Sequence, residues 1–156
     1  MSQHDIAIIG VGLHPFGRHG DKTAFQMAAD ATTDALADAG VAWNDVQFAI
    51  GGTTEVAQVD PTTAFLGLTG IPFMTVANAC ASDASTLVQA ANGIRAGMGD
   101  IAVAVGTDKH PRGSFKFDPG LTNLPGWYAD NGQFVTTKFF GMKANKYCHD
   151  HGISHR

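Results

Sequence analysis

The chain has 156 residues, 44% of them hydrophobic and 15% charged, and its 10 Lys/Arg against 14 Asp/Glu give a formal charge of −4. That length suits one domain with a real core, and the apolar content excludes global disorder. Scattered basic residues leave no electrostatic footprint for nucleic acid, and no apolar run approaches the about 20 residues of a membrane span. The charged share is below the usual ~25%, which points to extensive burial or to a surface that meets a partner. The N-terminus lacks the basic region of a signal peptide. Cys80 and Cys148 therefore read as free thiols in a reducing cytoplasm.

Ile6 to Gly12 is a continuous apolar run rich in β-branched residues, and predicts a strand buried on both faces. Thr23 to Ala39 predicts a helix: Phe25, Ala28, Ala29, Thr32, Leu36 and Ala39 share a face, and Gly40 stands at the expected stop. Asp30, Asp34 and Asp38 recur every four residues as a solvated outer stripe. Val46 to Ile50 predicts a second strand ended by Gly51 and Gly52. A short helix is expected from Pro61 to Leu68 and a third strand from Pro72 to Ala77. Ser82 to Ala96 predicts a helix with Leu87, Ala90, Ala91 and Ile94 on its apolar face. Ile101 to Gly106 predicts a fourth strand that echoes the first. The alternation argues for an α/β layered fold with a mostly parallel sheet flanked by helices.

The character changes after about residue 110. Pro111, Pro119, Pro125 and Gly132 break the chain, and Phe134 to His149 then reads as an amphipathic helix with Phe139, Phe140, Met142, Ala144 and Tyr147 available for burial. No strand closes this excursion before Arg156, so the sequence reads as one half of a longer fold. The expected organisation is a core over residues 1–110 and the start of a second region over 111–156.

Gly10-Val11-Gly12 follows an apolar run, as a dinucleotide fingerprint would, but Pro15 stands where the third glycine belongs and no helix opens there. A tight turn is the expectation. Cys148, His149, Asp150 and His151 are adjacent at a helix end, where four neighbours cannot all face one ion; no metal is expected. His4, His14, His19, His110 and His155 are single and scattered, with no role assigned.

The informative segment is Val76-Ala77-Asn78-Ala79-Cys80-Ala81-Ser82-Asp83-Ala84-Ser85. A cysteine stands among small residues where a strand gives way to a helix. A helix N-terminus favours thiolate and offers free N–H groups to an oxyanion. A buried structural cysteine is the competing reading, because free Cys is among the most buried residue types.

Asn78-Ala79-Cys80-Ala81-Ser82 resembles the segment holding the acyl-accepting cysteine of thiolases. The surroundings agree: the opening Ile6 to Gly17, the strand ending Gly51-Gly52-Thr53, and Val105-Gly106-Thr107-Asp108 after the cysteine helix. The opening is most similar to the lipid-transfer, sterol-carrier-type branch. The resemblance implies a thiolase N-terminal core followed by a truncated loop domain, with Cys80 as nucleophile and Asn78, Ala81, Ser82 and Asp83 supporting the substrate site. It implies acyl transfer between Cys80 and coenzyme A, making or cleaving a 3-ketoacyl thioester, with that thioester as substrate and no permanently bound cofactor. A homodimer or higher oligomer is implied too. Some lipid-transfer-type members act as aldolases on steroid side-chain thioesters with a small partner protein. A further reading is a non-catalytic half that only associates.

Two departures stand out. The family carries glycine where this chain has Asp83, a residue suited to capping the helix start but whose charge opposes thiolate formation nearby. The histidine and second cysteine that serve the family as base and acid belong to a C-terminal half. This chain alone is therefore expected to be inactive in turnover.

Overall fold

The computed structural model describes residues 5–110, 119–132 and 135–154. It divides into two compact units, residues 1–109 and 110–156. In the first, the elements run α1 (Ala24–Ala39), β1 (Phe48–Gly52), α2 (Thr63–Leu66), β2 (Phe73–Val76), α3 (Ser82–Arg95) and β3 (Ala102–Gly106). The three strands form one parallel sheet in the order β2-β1-β3.

Register fixes which residues share a face, because side chains alternate along each strand. Phe48 pairs with Ala102, and Gly52 pairs with both Val76 and Gly106. Phe48 and Ile50 therefore join Val76 and Ala102 on one face, where they pack with Ala90 and Ile94 of α3. On the other face Val103, Val105 and Phe73 pack with Ala28 of α1 and with Val59. A helix lies on each side of the sheet, the α/β layering expected from the sequence.

α1 begins at a capping box: Gln26 N–H donates to Thr23 Oγ1, and Thr23 N–H donates to Gln26 Oε1. It ends at Gly40 with φ 67°, a left-handed conformation that glycine adopts without a Cβ penalty. The Thr107 hydroxyl at the end of β3 donates to Ala24 O, pinning the helix start to the sheet.

Several expectations are corrected. β1 spans Phe48–Gly52 rather than Val46–Ile50. A 3-10 turn at Trp43–Asp45 consumes the chain before it, with Val46 N–H donating to Trp43 O. Gly51 and Gly52 continue the ladder because their faces have no room for side chains: a Cβ on Gly51 would stand 2.4 Å from Val59 Cβ.

Ile6 to Gly12 is not a strand among the described residues. The segment lies against α1. Its glycines permit the approach, since a Cβ would stand 2.2 Å from Ala35 O at Gly10 and 2.1 Å from Ala31 O at Gly12. Val11 N–H donates to Asp38. The glycine pair thus serves close packing on a helix, not a tight turn. Ile8, Ile9 and Val11 remain 57–69% exposed rather than buried.

The acidic stripe of α1 is not simply solvated either, because Asp38 takes that N–H and Asp30 pairs with Lys22 at 2.6 Å. On α3, Leu87 is exposed rather than part of the packed face.

In the second unit, α4 spans Trp127–Asp130 and α5 spans Thr136–His151. α5 buries none of its residues, contrary to the apolar face expected of it. It is stabilised locally: Lys143 Nζ stands 4.4 Å from the Phe139 ring centroid, and Lys146 pairs with Asp150 at 2.7 Å one turn on. Gly152, with φ 62°, closes it, so the Cys148–His151 stretch is helical to its end. His4, Pro111, Phe134 and His155, named from the sequence, lie outside the described residues.

Candidate active site

The C-terminal ends of the three parallel strands lie together, the place where open α/β sheets bind ligands. β2 leads there into Ala77, Asn78, Ala79 and Cys80, and α3 starts at Ser82. Ala79 takes φ 46°, a conformation few residues other than glycine adopt. That single residue reverses the chain and places Cys80 just before the helix.

Two hydroxyls hold the reversal. Asn78 N–H donates to Ser82 Oγ at 2.8 Å, and the same hydroxyl donates to Ala79 O at 2.8 Å. Asn78 Nδ2 donates to Ser85 Oγ at 2.9 Å, and that hydroxyl donates to Ala81 O at 2.9 Å. Ser82 is buried, with 3% exposure, so its satisfied bonds make the turn rigid. Cys80 itself is exposed. The position before α3, Ala81, supplies no side-chain cap. An accessible sulfur thus stands beside a helix start where Ser82 N–H is already bonded to Ala79 O, which leaves the N–H groups of Asp83 and Ala84 for another acceptor.

Asp83 does not cap the helix. Its carboxyl lies over the backbones of the neighbouring strand ends: a Cβ on Gly52 would stand 2.9 Å from Asp83 Oδ1, and one on Gly106 would stand 2.1 Å from it. The carboxyl accepts no hydrogen bond among the described residues. Partial burial, and then the charge of Asp108, raise it above the ordinary carboxylate value.

Asp108 has the opposite surroundings. It accepts from Thr53 Oγ1 at 2.8 Å, from Thr54 N–H at 2.9 Å and hydroxyl at 2.8 Å, and from Glu55 N–H at 3.0 Å. Partial burial alone would push its carboxyl up. The bonds from Thr54, Thr53 and Glu55 outweigh that and hold it below the ordinary value. Asp108 thereby ties the loop after β1 to the end of β3, beneath α3.

This chain matches the family model described as thiolase, N-terminal domain, over residues 6–156. The chain belongs to the thiolase family. Among curated relatives it is 30% identical to sterol carrier protein 2 of Oryctolagus cuniculus over 162 residues, covering 94% of this chain and 30% of that protein. It is 30% identical to sterol carrier protein 2 of Gallus gallus over 119 residues, covering 73% of this chain and 22% of that protein. It is 31% identical to non-specific lipid-transfer protein-like 2 of Caenorhabditis elegans over 121 residues, covering 71% and 28%. This thiolase-family chain thus spans less than a third of the length of these relatives. Among solved structures, the "Ltp2-ChsH2(DUF35) aldolase" shares its fold with a TM-score of 0.70 at 24% identity, over 94% of this chain and 38% of that one.

Within this thiolase-family fold, Asn78, Cys80, Ala81, Ser82 and Asp83 lie in one stretch from the end of β2 into the first turn of α3. The structure bonds Ser85 to Asn78, and it adds the tie of Asp108 to Thr53, Thr54 and Glu55, which no local pattern announces because these residues lie 53–55 positions from Asp108. Among the described residues no group of three or more His, Cys, Asp and Glu side chains could hold a metal ion. No helix among them is long and apolar enough to cross a membrane.

Proposed function

We propose that this chain is the cysteine-bearing half of a thiolase-type enzyme that transfers acyl groups between Cys80 and coenzyme A, with a 3-ketoacyl thioester as substrate. The observation carrying this reading is the exposed Cys80 sulfur at the uncapped start of α3, behind a turn locked by Ser82. Sulfur attack on a carbonyl develops an oxyanion, and free helix-start N–H groups are the donors that stabilise one. Asn78 and Ser82 shape the turn, and Ala81 leaves the approach unobstructed. In this reading lipid-derived acyl groups are the cargo and the cytoplasm is the compartment. The oligomer is at least a dimer, paired through the edge strand β2 and testable by sedimentation.

The test is incubation of the chain with acetoacetyl-CoA, followed by mass mapping of S-acyl cysteine. We expect an acyl adduct on Cys80 that is absent from Cys80→Ala. Wild-type protein that never acquires the adduct overturns the reading.

A second reading, a lipid-transfer-type aldolase working with a small partner protein, is favoured by one observation. The unpaired carboxyl of Asp83 occupies the position where the family carries glycine, and carboxylates serve as general bases. Cleavage of a 3-hydroxyacyl thioester with no adduct on Cys80 would select it.

A further inference from the structure

The loop that leads into α1 lies outside the cysteine site, and the sequence alone gives its histidines no role. The structure links His14 and His19 into a chain of polar contacts. The His14 side chain is 11% exposed. Its Nδ1 stands 3.1 Å from Pro15 O. A carbonyl only accepts, so Nδ1 carries the ring proton and Nε2 is left as an acceptor. Lys22 Nζ stands 3.4 Å from that Nε2 and donates to it. Lys22 also donates to Asp30 Oδ2 of α1 at 2.6 Å, a bond that raises the lysine above its ordinary value. His19 Nε2 donates to the same Pro15 O at 2.9 Å, and the two rings meet edge to face with centroids 4.5 Å apart.

The charged and titratable groups facing His14 are thus Lys22, His19 and Asp30, whose carboxylate stands 3.6 Å from Nε2. Asp21 acts on Lys22 from one residue away, and Lys109 Nζ donates to Lys22 O. Asp30 is the carboxylate that Lys22 and His14 share.

We propose that His14 is a proton-operated latch on the start of α1. Neutral, it accepts from Lys22 and holds the loop closed. A proton taken up at Nε2 occupies the lone pair that Lys22 uses, so that bond breaks. Lys22 and His14 are then two cations that compete for Asp30. A further proton, at Nδ1 of His19, adds a positive charge at the contact between the rings. Imidazoles gain charge as pH falls from about 8 to 5, so the latch opens as the solution turns acidic. Its place in the fold gives the opening a consequence. The Lys22 carbonyl accepts from Lys109, and the Thr107 hydroxyl donates to Ala24 O, so the residues after the latch tie α1 to the chain on both sides of Asp108. Opening loosens the start of α1 where it grips the end of β3. The latch does not depend on the acyl-transfer reading.

The experiment combines NMR of 15N-labelled histidine rings with amide hydrogen exchange of the chain at about pH 7.5 and 5.5, corrected for the intrinsic effect of pH. At the higher pH, His14 should carry its proton on Nδ1 and His19 on Nε2. The amides of Thr23, Gln26 and Met27, which the capping bonds protect, should exchange about tenfold faster at the lower pH. His14→Gln keeps an acceptor for Lys22 that takes up no proton in this range, and should exchange slowly at both values. His14→Ala removes the acceptor and should exchange fast at both, whereas His19→Gln should keep the acid response. Circular dichroism checks that the variants fold, and the ring tautomer of the wild type is read without any variant. The proposal is overturned by a His14 proton on Nε2 at the higher pH, by equal wild-type rates at the two values, or by slow exchange in His14→Ala. An acid response that survives in His14→Gln or disappears in His19→Gln overturns it too.

Discussion

The carboxyl of Asp83 and the backbone of Gly106 occupy one steric site: a Cβ added to Gly106 would stand 2.1 Å from Asp83 Cγ. β3 can carry an alanine there only if α3 gives up its acid. Gly106→Ala should therefore destabilise the chain by about 1–3 kcal/mol through overpacking. In an Asp83→Ala background the same substitution should be nearly neutral, a coupling of about 1–2 kcal/mol in a double-mutant cycle. Chemical denaturation of the four proteins measures it, and additive effects would show that the two residues do not share the space.

The two carboxyls should affect stability in opposite senses with pH. The folded value of Asp108 lies below its unfolded value, so its contribution is complete above about pH 4 and fades as pH falls through the lower folded value. Asp108→Asn should cost about 1 kcal/mol at pH 7, the modest end for a solvent-facing charged acceptor, and progressively less in acid. The folded value of Asp83 is raised, so ionisation works against folding as pH climbs from about 4 through that raised value. Asp83→Asn should accordingly stabilise the chain at pH 7 and be neutral in acid. Denaturation curves at pH 3 and pH 7 decide both, and the same sign of change for the two variants at pH 7 would contradict the assignment.

Ser82 holds the cysteine turn from inside, accepting from Asn78 N–H and donating to Ala79 O. Ser82→Ala leaves Asn78 N–H without its partner, while Ala79 O keeps the N–H of residue 82, and should cost about 1 kcal/mol. Because Ala79 keeps φ 46° only while its surroundings enforce it, loosening this clamp should also lower the rate at which Cys80 reacts. A thiol-alkylation rate equal to that of the wild type would place the constraint elsewhere.

The elements that periodicity reveals were legible beforehand, and those that depend on non-local packing were not. Thr23, Gln26 and Gly40 mark α1 locally, and the helix begins and ends where they stand. Ile6 to Gly12 has the composition of a buried strand, yet strand formation needs a partner edge, which no local pattern encodes. Its two glycines instead match the small residues Ala31, Ala35 and Ala39 on α1. At the site, Asn78, Cys80 and Ser82 could be read from one short segment. The positive φ of Ala79 could not, because alanine gives no hint of it where glycine would have. Asp108 stood in view after β3, but its donors Thr53, Thr54 and Glu55 come from the other side of the ladder.

The last expectation contrasts the two thiols. Cys80 is exposed at the start of α3, and Cys148 is half-buried in the last turn of α5. Access therefore favours Cys80. With limiting iodoacetamide at neutral pH, Cys80 should take most of the label, and the preference should vanish in urea, where both thiols meet the same solvent. Peptide mapping of the folded and unfolded protein measures the ratio. Preferential labelling of Cys148 in the folded chain would mean that the strand-to-helix junction does not activate its thiol, and the nucleophile role proposed for Cys80 would fall with it.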